Sequence, residues 1–98
     1  MGGEPLCPEN QFLTYLVVNS IKQKFPTVEV FLWTGYNLAD LKEISIGKRI
    51  EQILELCEAI VVGPFIEEQR DITLPMRGSR NQEIIYTRNL DLTEFALK

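Results

Sequence analysis

The apolar positions Phe12, Leu13, Leu16, Val17, Ile21 and Phe25 recur at the three-and-four spacing of an α-helix. That pattern predicts an amphipathic helix with one stripe turned to a core. Pro8 and Glu9 suit its first turn, and Lys22 and Lys24 complement the dipole of its last. Pro26 stops it, since proline cannot continue a helix. The period then changes. Residues 28–33, Val-Glu-Val-Phe-Leu-Trp, are rich in β-branched and aromatic side chains between Pro26 and Gly35, and predict a buried strand.

Asn37 caps a short helix over 38–44, Gly47 breaks the pattern, and a further helix over 48–57 puts Ile50, Ile53, Leu54 and Cys57 on one face. Ala59-Ile60-Val61-Val62 is the next apolar strand. Helix, strand, helix, strand with tight links is the order of parallel α/β units, so the expected sheet is parallel. Residues 63–83 hold Pro64, Pro75, Gly78 and many polar groups, and predict a long loop with a helical turn around 66–70. Loops of that length usually cover a site or bind a partner. Residues 83–88, with Ile84, Ile85 and Tyr86, predict a last strand, and 91–98 a polar-flanked tail or short helix. There is no internal repeat and no second domain, so residues 1–98 are read as a single unit.

Composition narrows the function classes. The 98 residues are 45% hydrophobic and 24% charged, and no apolar run approaches the roughly 20 residues that a membrane helix needs. No secretion signal is legible at the start, so a cytoplasmic location is the default expectation. A net charge of −4, with Lys48-Arg49 the only adjacent basic pair, argues against nucleic acid as a partner. The absence of histidine excludes a Ser-His-Asp triad, a Cys-His pair and a histidine-based zinc site within the chain. Cys7 and Cys57 stand fifty positions apart without metal-ligand spacing and read as reduced, semi-buried thiols. No catalytic residue and no metal ligand is predicted.

Three segments remain: Gly2-Gly3-Glu4-Pro5-Leu6, then Trp33-Thr34-Gly35-Tyr36, then Gly63-Pro64-Phe65-Ile66 running on to Arg77-Gly78-Ser79-Arg80-Asn81-Gln82. In that order they resemble the C-terminal half of a radical S-adenosylmethionine activating enzyme, closest to the activating protein of anaerobic ribonucleoside-triphosphate reductase. The resemblance runs from Gly2 to about Ile85. It implies an α/β fold, a partial (half) TIM-like barrel with a small parallel sheet and flanking helices, lacking its N-terminal cluster-binding part. It implies too that the complete enzyme uses S-adenosylmethionine and a 4Fe-4S cluster to make the glycyl radical of the reductase, which would be the partner. The family holds that cluster in a Cys-x3-Cys-x2-Cys loop, and this chain contains none, so it cannot bind the cluster alone. The alternative is a non-catalytic, truncated homologue acting as a binding or regulatory module.

By the same resemblance, Gly2, Gly3 and Glu4 hold the cofactor's amino group through backbone oxygens and the acid. An ammonium offers three donors, which suits carbonyls and a carboxylate. The competing reading is a flexible start to the chain. Thr34 and Gly35 follow a strand, where ligands of open α/β sheets gather, and the resemblance points Thr34 at the cofactor's carboxylate end. Equally, they form a plain strand-ending turn with Trp33 and Tyr36 in the core. In the site loop, Arg77 can make a bidentate bond to a carboxylate, Gly78 can adopt an unusual backbone angle, and Asn81 and Gln82 offer paired donors and acceptors. An exposed turn closed by Ser79 and Asn81 is the other reading. Three positions depart from the family pattern: Arg80 stands where serine is usual, Glu58 replaces an aspartate, and Val62 replaces an acid that helps neutralise the cofactor's surroundings. Finally, three strands with an open edge predict self-association or marginal stability of the isolated chain. A monomer in sedimentation with a cooperative melt would count against that.

Overall fold

The computed structural model describes residues 4–95, so Gly2, Gly3 and the end of the 91–98 tail lie outside the described residues. A 3-10 turn, Pro8–Asn10, leads into α1, Gln11–Lys24. Phe25 leaves helical geometry one residue ahead of Pro26, as steric conflict with a following proline requires. The Lys22 ammonium then donates to the carbonyls of Pro26 (3.2 Å) and Val28 (2.7 Å), fixing the reversal.

Strand β1 is Phe31–Trp33, shorter than expected, because Val28 is still in the turn, where its N–H bonds to the Phe25 carbonyl at 3.0 Å. Helix α2, Leu38–Ile44, opens on Asn37, whose side-chain oxygen accepts from the Asp40 N–H at 2.9 Å. Gly47 takes the left-handed conformation (φ +58) between α2 and α3, Arg49–Leu56. Strand β2, Ala59–Val62, and strand β3, Glu83–Tyr86, follow, with a 3-10 turn at Glu67–Gln69 inside the long loop. Two more 3-10 turns, Thr87–Asn89 and Leu92–Phe95, complete the described chain.

The sheet has the order β1-β2-β3 and is mixed, which corrects the expected parallel sheet. β1 and β2 are parallel (Leu32 opposite Ile60), as α2 and α3 make the crossover. β2 and β3 are antiparallel, with Val62 opposite Glu83. The reason lies in residues 63–82. A parallel return needs a crossover to the far end of the sheet, usually a helix, whereas this loop holds a single 3-10 turn and comes back to the end it left.

β2 is buried along its whole length and is the centre of the core. Register places Leu32, Ile60 and Ile85 on one face, against a cluster formed by Leu41 of α2, Ile50, Ile53 and Leu54 of α3, and Val18 of α1. Leu6 and Phe95 close that cluster and are both fully buried, so the segment expected as a tail or short helix forms the 3-10 turn Leu92–Phe95 and is anchored by Phe95.

α1 forms where expected but faces the other way. Only Gln11 and Val18 are buried along it, whereas Phe12 is 56% exposed, Leu13 62% and Val17 50%. The Arg49 guanidinium lies over the Phe12 and Tyr15 rings, 4.8 and 5.2 Å from their centroids, and covers part of that stripe. Among the described residues no helix is long and apolar enough to cross a membrane.

Cys57 is buried behind α3, and desolvation pushes its thiol up to about 11, against a small opposing effect of Lys22. The folded state therefore holds a proton that the unfolded chain releases first. Its stabilising contribution is intact below about pH 9 and is lost as pH rises toward 11, by up to about 2–3 kcal/mol. Urea midpoints should fall over that window in the wild type and less in Cys57→Ala. At pH 8, iodoacetamide should modify the part-exposed Cys7 well before Cys57.

Candidate functional site

Glu4 is where the first and second sequence segments meet. One carboxylate oxygen, Oε1, accepts the Gly35 N–H at 2.6 Å. The other, Oε2, accepts the Thr34 hydroxyl at 2.6 Å and the Leu6 N–H at 3.0 Å. Thr34 is 3% exposed and continues the sheet, its N–H bonding to the Val61 carbonyl at 2.9 Å, so its hydroxyl is held in place by the ladder. That hydroxyl donates to Glu4 and accepts from the Tyr36 N–H at 3.2 Å. The carboxylate is thus fixed at the C-terminal ends of two parallel strands, where open α/β sheets collect ligands.

Such a start is not a loose end from Glu4 onward. The Glu4 carbonyl accepts from Asn10 Nδ2 at 3.0 Å, the Pro5 carbonyl from the Thr14 hydroxyl at 2.7 Å, and the Leu6 carbonyl from Gln11 Nε2 at 3.0 Å. The environment is acidic. Tyr36 is held above its ordinary range by desolvation first and then by Cys7, Glu4, Glu9 and Asp40, which favours positive charge nearby.

A hollow of about 250 Å³ is lined by Trp33, Thr34, Gly35, Gly63, Phe65 and Gln82, and so shares Thr34 and Gly35 with the Glu4 clamp. Trp33 is half exposed rather than in the core, and its indole N–H donates to the Met76 carbonyl at 2.6 Å, tying the long loop to β1. Met76 adopts a left-handed backbone angle (φ 63) to present that carbonyl, a conformation that costs a non-glycine residue of order 1 kcal/mol. Sequence reasoning missed this strap. The need of a tryptophan N–H for a partner was its only legible trace.

The third segment comes to the same place. Gln82 is nearly buried; its Oε1 accepts the N–H groups of Gly78 (2.9 Å) and Ser79 (3.2 Å), and its Nε2 donates to the Gly63 carbonyl at 3.0 Å. Asn81 donates to the Pro64 carbonyl at 2.7 Å and accepts the fully buried Ser79 hydroxyl at 2.6 Å. These polar groups are spent on the loop itself. Arg77 donates from Nη1 to the Gln82 carbonyl at 3.4 Å, while its Nε is buried without a partner. The fork needed to grip a carboxylate is therefore half closed in this arrangement. Arg80 is exposed, and Val62 is buried in the core cluster beside Ile60, where it packs instead of offering an oxygen.

Gly63 joins the strand ends, donating its N–H to the Tyr36 carbonyl at 3.0 Å with φ at +106. No L side chain adopts that angle readily, so Gly63→Ala should cost about 1–3 kcal/mol in a urea titration, with the hollow disturbed as well. A loss under 0.5 kcal/mol would show that the turn can relax.

Comparison with known proteins adds the following. A family model described as a 4Fe-4S single cluster domain matches residues 1–85. Similar curated proteins include the anaerobic ribonucleoside-triphosphate reductase-activating proteins of Vibrio cholerae, 37% identical over 85% of this chain and 50% of the relative, and of Pasteurella multocida, 38% identical over 87% and 51%. That of Escherichia coli is 32% identical over 89% of this chain and 53% of the relative. The chain spans about half the length of these relatives. No solved structure matches.

Proposed function

The chain belongs to the 4Fe-4S single cluster domain family, and we propose that it is the S-adenosylmethionine-placing half of a radical activating protein for anaerobic ribonucleoside-triphosphate reductase, working in the cytoplasm. The observation that carries this is the clamp on Glu4, in which Thr34 and Gly35, two residues that line an open hollow at the strand ends, hold a carboxylate. The residues suit the cofactor's amino group. Glu4 supplies the negative charge, Gly2 and Gly3 would add backbone oxygens, and Thr34 and Gly35 orient the acid. In such enzymes the cofactor supplies the one-electron chemistry that turns a glycine of the reductase into a radical. The protein's part is placement. The loop with Arg77, Gly78, Ser79, Asn81 and Gln82 roofs the hollow and faces the partner, and the parallel β1–β2 pair is a segment of a half TIM-like barrel to which β3 adds an antiparallel edge.

The cluster itself does not fit this chain. There are two cysteines, Cys7 part-exposed and Cys57 in the core, and among the described residues no group of three or more histidine, cysteine, aspartate or glutamate side chains comes together. A site-differentiated 4Fe-4S cluster needs three thiolates or equivalent ligands. No catalytic step is assigned to these residues.

Trp33 is the only tryptophan in the chain and lines the hollow, which makes it a reporter. Titration with S-adenosylmethionine should give a saturable change in its fluorescence. A flat response to millimolar ligand would remove cofactor placement and leave the module reading.

A further inference from the structure

We propose that residues 71–78 are a strap with two states, latched on Trp33 and released, and that its release opens the hollow at the strand ends. The inference goes beyond the reading above, since it concerns access to the hollow whatever ligand enters.

The base of the long loop is firmly tied. Gln82 and Asn81 hold Gly63 and Pro64, the Ser79 hydroxyl accepts the Ile66 N–H at 3.2 Å, and Arg70 and Ser79 form an antiparallel bridge. The tip is tied far less. Asp71 turns it back on itself, its Oδ1 accepting the Thr73 N–H at 3.0 Å and hydroxyl at 2.6 Å, and Ile72 at that turn is 85% exposed. Among the described residues, the only hydrogen bond from 71–76 to a residue outside the loop is the one the Met76 carbonyl accepts from the Trp33 indole.

Two neighbouring residues are unfavourably placed while the latch is closed. Met76 holds its φ at 63, an angle that a β-carbon disfavours, and the Arg77 Nε is buried without a partner. Release relieves both, because Met76 returns to ordinary backbone angles and water reaches Nε. One exposed indole bond thus stands against two local costs, the balance expected of a segment that opens without the rest of the fold. The strap also meets both aromatic walls of the hollow. The Met76 carbonyl holds Trp33, and a Cβ on Gly78 would lie 2.9 Å from the Phe65 ring, so only glycine lets that ring rest there. Release removes both supports and widens the hollow on that side, as a lid does.

Measurements without ligand test the strap. Tryptic cleavage after Arg77, divided by cleavage after Arg49 in α3, separates release from global unfolding. Trp33→Phe keeps an aromatic wall but removes the N–H donor, and should raise that ratio about fivefold or more. Met76→Gly takes the left-handed angle without strain and should lower it about fivefold. In the same variant the Trp33 indole N–H, a single resonance because the chain has one tryptophan, should exchange with solvent more slowly than in the wild type. Ile72→Ala, on the strap but outside the latch, should change neither rate. Circular-dichroism melts check that each variant folds, and Met76→Gly alone carries the test should Trp33→Phe melt early. Equal cleavage ratios in the wild type and both latch variants would overturn the proposal, as would faster cleavage or faster indole exchange in Met76→Gly. The cofactor titration above is read independently, so failure of the strap leaves cofactor placement to stand or fall by itself.

Discussion

Gln11→Leu should destabilise the chain by about 3–5 kcal/mol, a large share of the roughly 5–15 kcal/mol that a domain of this size possesses. Gln11 is fully buried and makes three bonds to backbone from two separate stretches. Its Nε2 donates to the Leu6 carbonyl at 3.0 Å and the Ile44 carbonyl at 2.8 Å, and its Oε1 accepts the Ile46 N–H at 3.0 Å. One side chain thus fastens the segment that carries Glu4 to the end of α2. Leucine has similar volume, so no cavity forms and the loss is that of buried polar groups left without partners. Urea unfolding followed by circular dichroism measures it, and a loss below 1 kcal/mol would mean that water reaches these groups. Because Leu6 is displaced with them, the Glu4 clamp should loosen as well.

Glu4→Gln should abolish S-adenosylmethionine binding, or weaken it at least tenfold, while lowering stability by only about 1–3 kcal/mol. The carboxylate accepts from Gly35, Thr34 and Leu6, three donors across two oxygens. An amide keeps one oxygen and turns an NH₂ toward the remaining donors, and it removes the negative charge that a bound ammonium requires. Thr34→Val is the milder companion, since it removes one hydroxyl that donates to Glu4 and accepts from Tyr36 but leaves the charge. The expected order of affinity is wild type, Thr34→Val, Glu4→Gln. A purely structural Glu4 would instead lower the melting temperature and leave the affinity of the folded fraction unchanged.

Periodicity and turn chemistry made much of this fold legible. Asn37 as a cap, Gly47 as a break and 59–62 as a strand are local matters, decided by a few side chains and the backbone they serve. Orientation was not local. The stripe on α1 has helical spacing whichever way it faces, and only the burial of Val18 in the core cluster and of Gln11 against Leu6, Ile44 and Ile46 shows that the stripe is outward. The direction of β3 was likewise hidden, because it depends on where a loop of irregular backbone ends, which no period encodes. The site was half legible. Glu4, Thr34 and Gly35 were singled out from motifs, and the structure brings them into direct contact, with Thr34 and Gly35 donating to the acid. Gln82 and Asn81 were marked for their donors and acceptors, and those groups are used to fold the loop on Gly63 and Pro64. Gln11 escaped notice because a glutamine at the start of a helix ordinarily faces solvent, and only tertiary structure reveals the three backbone groups around it.

Isothermal titration of S-adenosylmethionine into the wild-type chain and into Glu4→Gln, both verified as folded by circular dichroism, tests cofactor placement most directly. Saturable heat in the wild type that vanishes in the variant is the predicted result. No heat from a folded wild-type chain at millimolar ligand, or equal heat from both proteins, would contradict it.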